Sequence, residues 1–179
     1  MRRKSLAATL GVVLSLGLLA FAPSALAGIV IGQSIASVKL GAPEAQVTAL
    51  LGAPMSKETA GPAYPNVVNL VYPSSIGLHV SLEAGKVNDV LSFSKKQRTS
   101  KGITIGSSRA QLKRAYPQAK CAEGPYGPKS LYCAVLARFH GRKSFTSFLF
   151  GGKANGGVEE IELGYGVGLA QELKEQSKK

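Results

Sequence analysis

The sequence predicts an α+β fold: two tandem helix-plus-three-strand repeats forming one antiparallel sheet with helices packed on one face. Two observations lead there. First, Val38-Lys39-Leu40-Gly41-Ala42-Pro43-Glu44-Ala45-Gln46-Val47 returns as Ile103-Thr104-Ile105-Gly106-Ser107-Ser108-Arg109-Ala110-Gln111-Leu112. Each copy is a short apolar stretch, a glycine, a helix-starting residue and an Ala-Gln-aliphatic helix, and self-similarity of this length marks two stacked supersecondary units. Second, both copies are followed by runs with strand periodicity. The chain divides accordingly into a leader, 1–27, a first repeat, 28–100, a second repeat, 101–168, and a tail, 169–179.

In the first repeat, a helix is expected over Pro43–Leu51. Proline opens it where a missing N–H costs little. Ala45, Val47, Ala49 and Leu50 form its apolar stripe, and Gly52 and Pro54 stop it. Residues 56–66, with Gly61, Pro62 and Pro65, read as loop, and Val67–Tyr72 as strand. Alternation is cleanest in Leu78-His79-Val80-Ser81-Leu82-Glu83, which turns Leu78, Val80 and Leu82 to the core. Ala84-Gly85 makes a hairpin turn and Lys86–Phe93 returns.

The second repeat follows the same plan. Ser108 caps a helix that Pro117 ends. Lys120–Lys129 reads as loop. Leu131, Cys133, Val135, Ala137 and Phe139 then share the inner face of a long strand, with Tyr132, Ala134, Leu136, Arg138 and His140 on the other. Gly141-Arg142-Lys143 turns into Ser144–Phe150, and Val158–Gly164 closes the sheet with Ile161 and Leu163 inward. The tail from Leu169 reads as a short helix.

Residues 1–27 have the layout of a secretory signal: basic Arg2, Arg3 and Lys4, an apolar stretch from Leu6 to Ala22, helix-breaking Pro23, and Ala25-Leu26-Ala27 before a cleavage point at Gly28. The alternative is an uncleaved anchor. No cysteine stands near residue 28 for a lipid anchor, and nothing downstream approaches the ~20 apolar residues of a membrane span. A secreted (extracellular or cell-envelope) chain is expected. Export to an oxidising space makes a disulfide the leading expectation for the two cysteines, Cys121 and Cys133. They are too few for a metal site, and no cofactor is expected.

Charge is concentrated in one segment. Residues 28–94 carry three Lys/Arg and four Asp/Glu, whereas residues 95–153 carry thirteen Lys/Arg and only Glu123. Such a one-signed stretch attracts anionic partners. Outside a cell these are an acidic protein or a cell-wall polyanion, with intracellular nucleic acid disfavoured by export. The candidate binding residues are Lys95, Lys96, Arg98 and Lys101 in the connector, and Arg138, His140, Arg142 and Lys143 around the second hairpin. Tyr126, in the loop between the cysteines, and Tyr132, on an outward strand face, join them as aromatic anchors.

A catalytic constellation is not expected. The chain has one aspartate, Asp89, and two histidines, His79 and His140, without spacing that suggests a triad. Glu160 and Glu162 are same-face neighbours on one strand, expected to pair with Arg138 or a lysine across the sheet. Gly164-x-Gly166-x-Gly168 lacks the spacing and the following βαβ unit of a dinucleotide loop.

The repeated apolar-x-apolar-Gly-x-[Ser/Pro]-x-Ala-Gln-[Val/Leu] pattern, closed in its first copy by Leu51-Gly52-Ala53-Pro54, resembles the repeat of SmpA/BamE-type envelope proteins. Two such repeats in tandem resemble the beta-lactamase inhibitory protein family. That resemblance implies two helix-plus-sheet units joined into one sheet whose open face binds another protein, and a disulfide placed like Cys121–Cys133. The expected function is therefore a secreted, non-catalytic, monomeric binding module using an open sheet face and the 95–143 segment. The alternatives are an envelope-associated assembly factor and a cell-wall hydrolase.

Overall fold

A computed structural model describes residues 28–123, 130–151 and 156–166. The leader, Tyr126 and the tail from Leu169 lie outside the described residues.

The two-repeat α+β expectation is not what the chain forms. The fold is mostly β, with an eight-stranded antiparallel sheet, a three-stranded sheet and two short helices. The chain enters through β1 (Ile29–Val30), β2 (Ser34–Ile35) and β3 (Val38–Lys39), which form the three-stranded sheet. Helix α1 (Glu44–Leu51) leads to β4 (Ser56–Thr59), β5 (Val67–Val71), β6 (Leu78–Glu83) and β7 (Lys86–Ser92). Helix α2 (Arg109–Ala115) leads to β8 (Lys120–Glu123), β9 (Leu131–Phe139), β10 (Arg142–Phe150) and β11 (Val158–Tyr165). The large sheet runs β4-β5-β6-β7-β11-β10-β9-β8, so β7 and β11 form the seam between its two halves, and β4 and β8 are its edges.

The differences have physical causes. Residues 56–59 and 120–123, both expected as loop, become strands because β5 and β9 offer them a free hydrogen-bonding edge. Strand formation of this kind follows from the neighbour more than from intrinsic propensity. The helices are minor elements. In α1 the expected stripe fails, since Ala45, Ala49 and Leu50 are exposed and only Val47 is buried. In α2 only Leu112 is buried. A capping box in which Ser108 accepts from the Gln111 N–H and Gln111 accepts from the Ser108 N–H starts α2.

One face of the large sheet carries the core. Leu78, Val80 and Leu82 of β6, Val90 of β7, Ile161 and Leu163 of β11, Phe148 of β10, and Cys133 and Val135 of β9 are all buried there. Val47, Leu112 and the small sheet's Ile29, Ile35 and Val38 pack into the same cluster. Two hairpins close on left-handed residues, Ala84-Gly85 (φ 49° and 73°) and His140-Gly141 (φ 49° and 76°). This is the backbone that matches strand twist in a two-residue turn. The second turn lies one residue earlier than expected, which makes Arg142 and Lys143 the first residues of β10.

Candidate functional site: the second face of the large sheet

With both helices and the small sheet on the core side, the other face of the large sheet is covered by no described helix or strand. Strand register sets its side chains in rows. One row runs Ser81, Asp89, Gly164, Phe145, Leu136 across β6-β7-β11-β10-β9. The next runs His79, Leu91, Glu162, Ser147, Ala134 and on to Lys120 of β8. A third runs Glu160, Leu149, Tyr132, Ala122. Lys143 and Arg138 sit opposite each other beyond the first row.

Charge on this face is split. The β6-β7-β11 half bears Glu83, Asp89, Glu160 and Glu162, with Lys86 opposite Glu83 at its end, and the β8-β9-β10 half bears Lys120, Arg138 and Lys143. Within the second half, Tyr132, Ala122, Ala134 and Leu149 form a small apolar cluster. Two large apolar side chains stand out from the face, Leu136 at 45% exposure and Phe93 at 43%. The Phe93 ring meets His79 edge-on at 5.1 Å.

The acidic half centres on Asp89 and Glu162, diagonal neighbours across the seam. The residue directly opposite Asp89 is Gly164, and the missing side chain is what makes room. A Cβ on Gly164 would lie 2.8 Å from Phe145 Cζ and 2.9 Å from Asp89 Oδ2. Phe145 and the Asp89 carboxyl thus both lie over the glycine, and Asp89 is half-buried. Burial, then the charge of Glu162 and a hydrogen bond to it, then the charge of Glu160, hold Asp89 well above the usual carboxylate range. Glu162 is raised by burial, against the pull of hydrogen bonds from Ser147 and Asp89. The Ser147 hydroxyl donates to Glu162 Oε2 at 2.9 Å. Glu160, half-buried, is raised by burial and by the charge of Glu162. Both carboxyls are thus raised, Asp89 the more strongly, and the pair holds a proton more readily than either group alone. Substituting Gly164→Val drives a branched side chain into that space. The expected loss is about 1–3 kcal/mol, read as a lower urea midpoint.

The expectation that Glu160 and Glu162 pair with Arg138 or a lysine across the sheet does not hold: among the described residues neither forms an ion pair. Glu162 is bound by Ser147 and Asp89, while Arg138 Nη1 donates to the Gly141 carbonyl at 3.4 Å.

The candidate binding residues do not form one patch. Lys95, Lys96, Arg98 and Lys101 follow the C-terminal end of β7, whereas Arg138, Arg142 and Lys143 lie at the opposite end of the sheet, beside the Asp89–Gly164 pair. Several serve the fold. Lys96 Nζ donates to the Ser75 carbonyl at 3.3 Å, and Lys101 Nζ donates to the Ala115 carbonyl at 2.8 Å, closing the end of α2. Arg142 lies over the Tyr165 ring at 3.8 Å and, with Lys143 and Glu83, lines a shallow groove of about 420 Å³. Tyr132 stands on the second face as expected but is only 7% exposed, packed in the small apolar cluster. His140 is a turn residue with its ring against Phe139 at 4.1 Å. Cys121 and Cys133 face each other across β8 and β9 and form the expected disulfide.

No family model matches the chain, and no curated protein matches it. Among solved structures, it is similar to an extracellular protein containing a SCP domain from Bacillus anthracis str. Ames. The two share 13% identity at a TM-score of 0.53, over 73% of this chain and 45% of that one. A second likeness is to the uncharacterized protein YfeY from Escherichia coli, at 16% identity and a TM-score of 0.46, over 76% of this chain and 97% of that one. The chain spans less than half the length of the SCP-domain protein, and at this identity the likeness is one of fold. Neither neighbour bears on the SmpA/BamE-type resemblance, which rests on the repeated motif alone. No helix among the described residues is long and apolar enough to cross a membrane.

Asp89 is the residue that sequence reasoning missed. The available signal was the alternation Asp89-Val90-Leu91, which sets Asp89 on the same face as Leu91 and so as Glu162; the β6–β7 bulge lies on the other side of Asp89, at Asn88.

Proposed function

We propose that the chain is an exported, non-catalytic binding module that holds an acidic protein partner on the second face of its eight-stranded sheet. The observation that carries this reading is Leu136. It is a large apolar side chain, 45% exposed in the middle of a strand and flanked on the same face by Arg138, Lys143 and Lys120. An exposed apolar anchor ringed by like charges supplies what protein recognition uses, desolvation at the centre and steering at the rim. The connector lysines at the other end of the sheet are separate from this patch and take no part.

The test is capture from culture fluid and envelope extract at low and high salt, with three forms of the chain. Wild type is expected to retain one protein at both salts. A Leu136→Ala/Arg138→Glu variant should lose at least tenfold in affinity, and Lys95→Glu/Lys96→Glu should bind as wild type. Retention of wall polyanion alone, released by salt and weakened by the connector variant, overturns the reading.

A further inference from the structure

We propose that Asp89 and Glu162 form a proton-held clasp across the β7–β11 seam, so that the two halves of the sheet grip most firmly in mildly acid surroundings and loosen as the pH rises. The inference is independent of which partner, if any, takes the face.

Geometry places the clasp. Four residue pairs, Ile161–Ser92, Glu162–Leu91, Leu163–Val90 and Gly164–Asp89, make the seam that joins β4–β7 to β8–β11. Asp89 and Glu162 belong to two of these pairs as diagonal neighbours on one face, and the Asp89 carboxyl leans across the seam over Gly164, where a Cβ would meet its Oδ2 at 2.9 Å. With Asp89 protonated, its hydroxyl donates to Glu162, which also accepts from Ser147. The clasp then carries a single negative charge held by two donors. With Asp89 ionised, two carboxylates face each other under Phe145 and the donor across the seam is gone.

The surroundings offer little relief. The titratable groups on the same face of the neighbouring strands are His79 and Glu83 on β6 and Glu160 on β11. On β10 the nearest charged side chain is Lys143, placed beyond Phe145. β7 adds Lys86 at its far end, paired with Glu83. Among the described residues, none of these forms an ion pair with Asp89 or Glu162.

The sign follows from proton counting. In the unfolded chain both carboxyls ionise near the ordinary value of about 4. In the fold the pair keeps a proton to higher pH. Between those limits the folded state binds more protons, so stability falls as pH rises through the window and levels off above it. This trend is the reverse of ordinary acid denaturation.

Thermal unfolding of the purified exported chain, measured from pH 4.5 to 8.5 at fixed ionic strength, reads the effect. Tm is expected to be highest near pH 5 and to drop by roughly 5 °C by pH 8. Asp89→Asn keeps a donor toward Glu162 without a proton to lose, so its Tm should stay level across that range. His79→Gln should retain the wild-type slope. A wild-type Tm that is level or rising from pH 5 to 8, or an Asp89→Asn slope equal to wild type, overturns the proposal. If Asp89→Asn does not fold, carboxyl-carbon NMR titration of the wild-type protein decides. One of the two side chains should keep its proton well above the ordinary carboxylate range, and finding that both ionise at the ordinary value refutes the clasp.

Discussion

Truncating Phe148 to alanine should destabilise the fold by about 3–5 kcal/mol. Phe148 lies in the middle of β10, paired with Ile161 on one side and Cys133 on the other, and its side chain is fully buried. Its ring stacks on Tyr116 at 6.4 Å, and Tyr116 is the residue that ends α2. Removing the ring therefore opens a void between the sheet and the helix it supports, where β-strand backbone on both flanks prevents collapse. For a chain of this size the melting temperature should drop by roughly 6–20 °C. Phe148→Leu should lose no more than about 1.5 kcal/mol, because most of the volume stays. Equal losses for the two variants would show that the site is not packed as described.

Removing the disulfide should be the next largest effect. Cys121 and Cys133 are 12 residues apart, and closing a loop of that length stabilises by about 3 kcal/mol on the chain-entropy model. There is a local reason to expect the loss to be uneven. β8 has four residues and pairs only with β9, so the bridge is the cross-link that pins this short edge strand to the sheet. In a Cys121→Ala/Cys133→Ala chain, amide exchange should rise first at 120–123 while β5 and β6 stay protected. A uniform rise along the chain, or no loss of stability, would contradict this.

What could be read in the sequence was what the local pattern carries. Leu78–Glu83 alternates without a break, and β6 forms there with Leu78, Val80 and Leu82 buried. The inner set Leu131, Cys133, Val135, Ala137 and Phe139 was equally legible, as was the Ala84-Gly85 turn. Three kinds of information were not. Ser56-Lys57-Glu58-Thr59 has no apolar period, yet it is a strand because β5 has a free edge beside it. The basic stretch 95–143 is continuous in sequence but not in space. β9 alone spans roughly 30 Å at about 3.3 Å per residue, which carries Arg138 away from the end where Lys95 lies. The acidic pair needed register: that Asp89 stands opposite a glycine and diagonal to Glu162 depends on β7 pairing with the distant β11, which alternation within either strand does not reveal.

The two edge strands have a consequence for how the chain behaves in a crowd. An open eight-stranded sheet could in principle grow by adding another molecule's strand at either border, and long apolar borders do so. Here both borders are only four residues long, Ser-Lys-Glu-Thr and Lys-Cys-Ala-Glu, and each sets a lysine and a glutamate where a newcomer would dock. At the first border, Lys57 is further held by Glu44 at 2.7 Å. A would-be added strand must desolvate both signs of charge for four residues of pairing. The sheet is thus braked against fibre growth at both ends, which leaves its broad side for company.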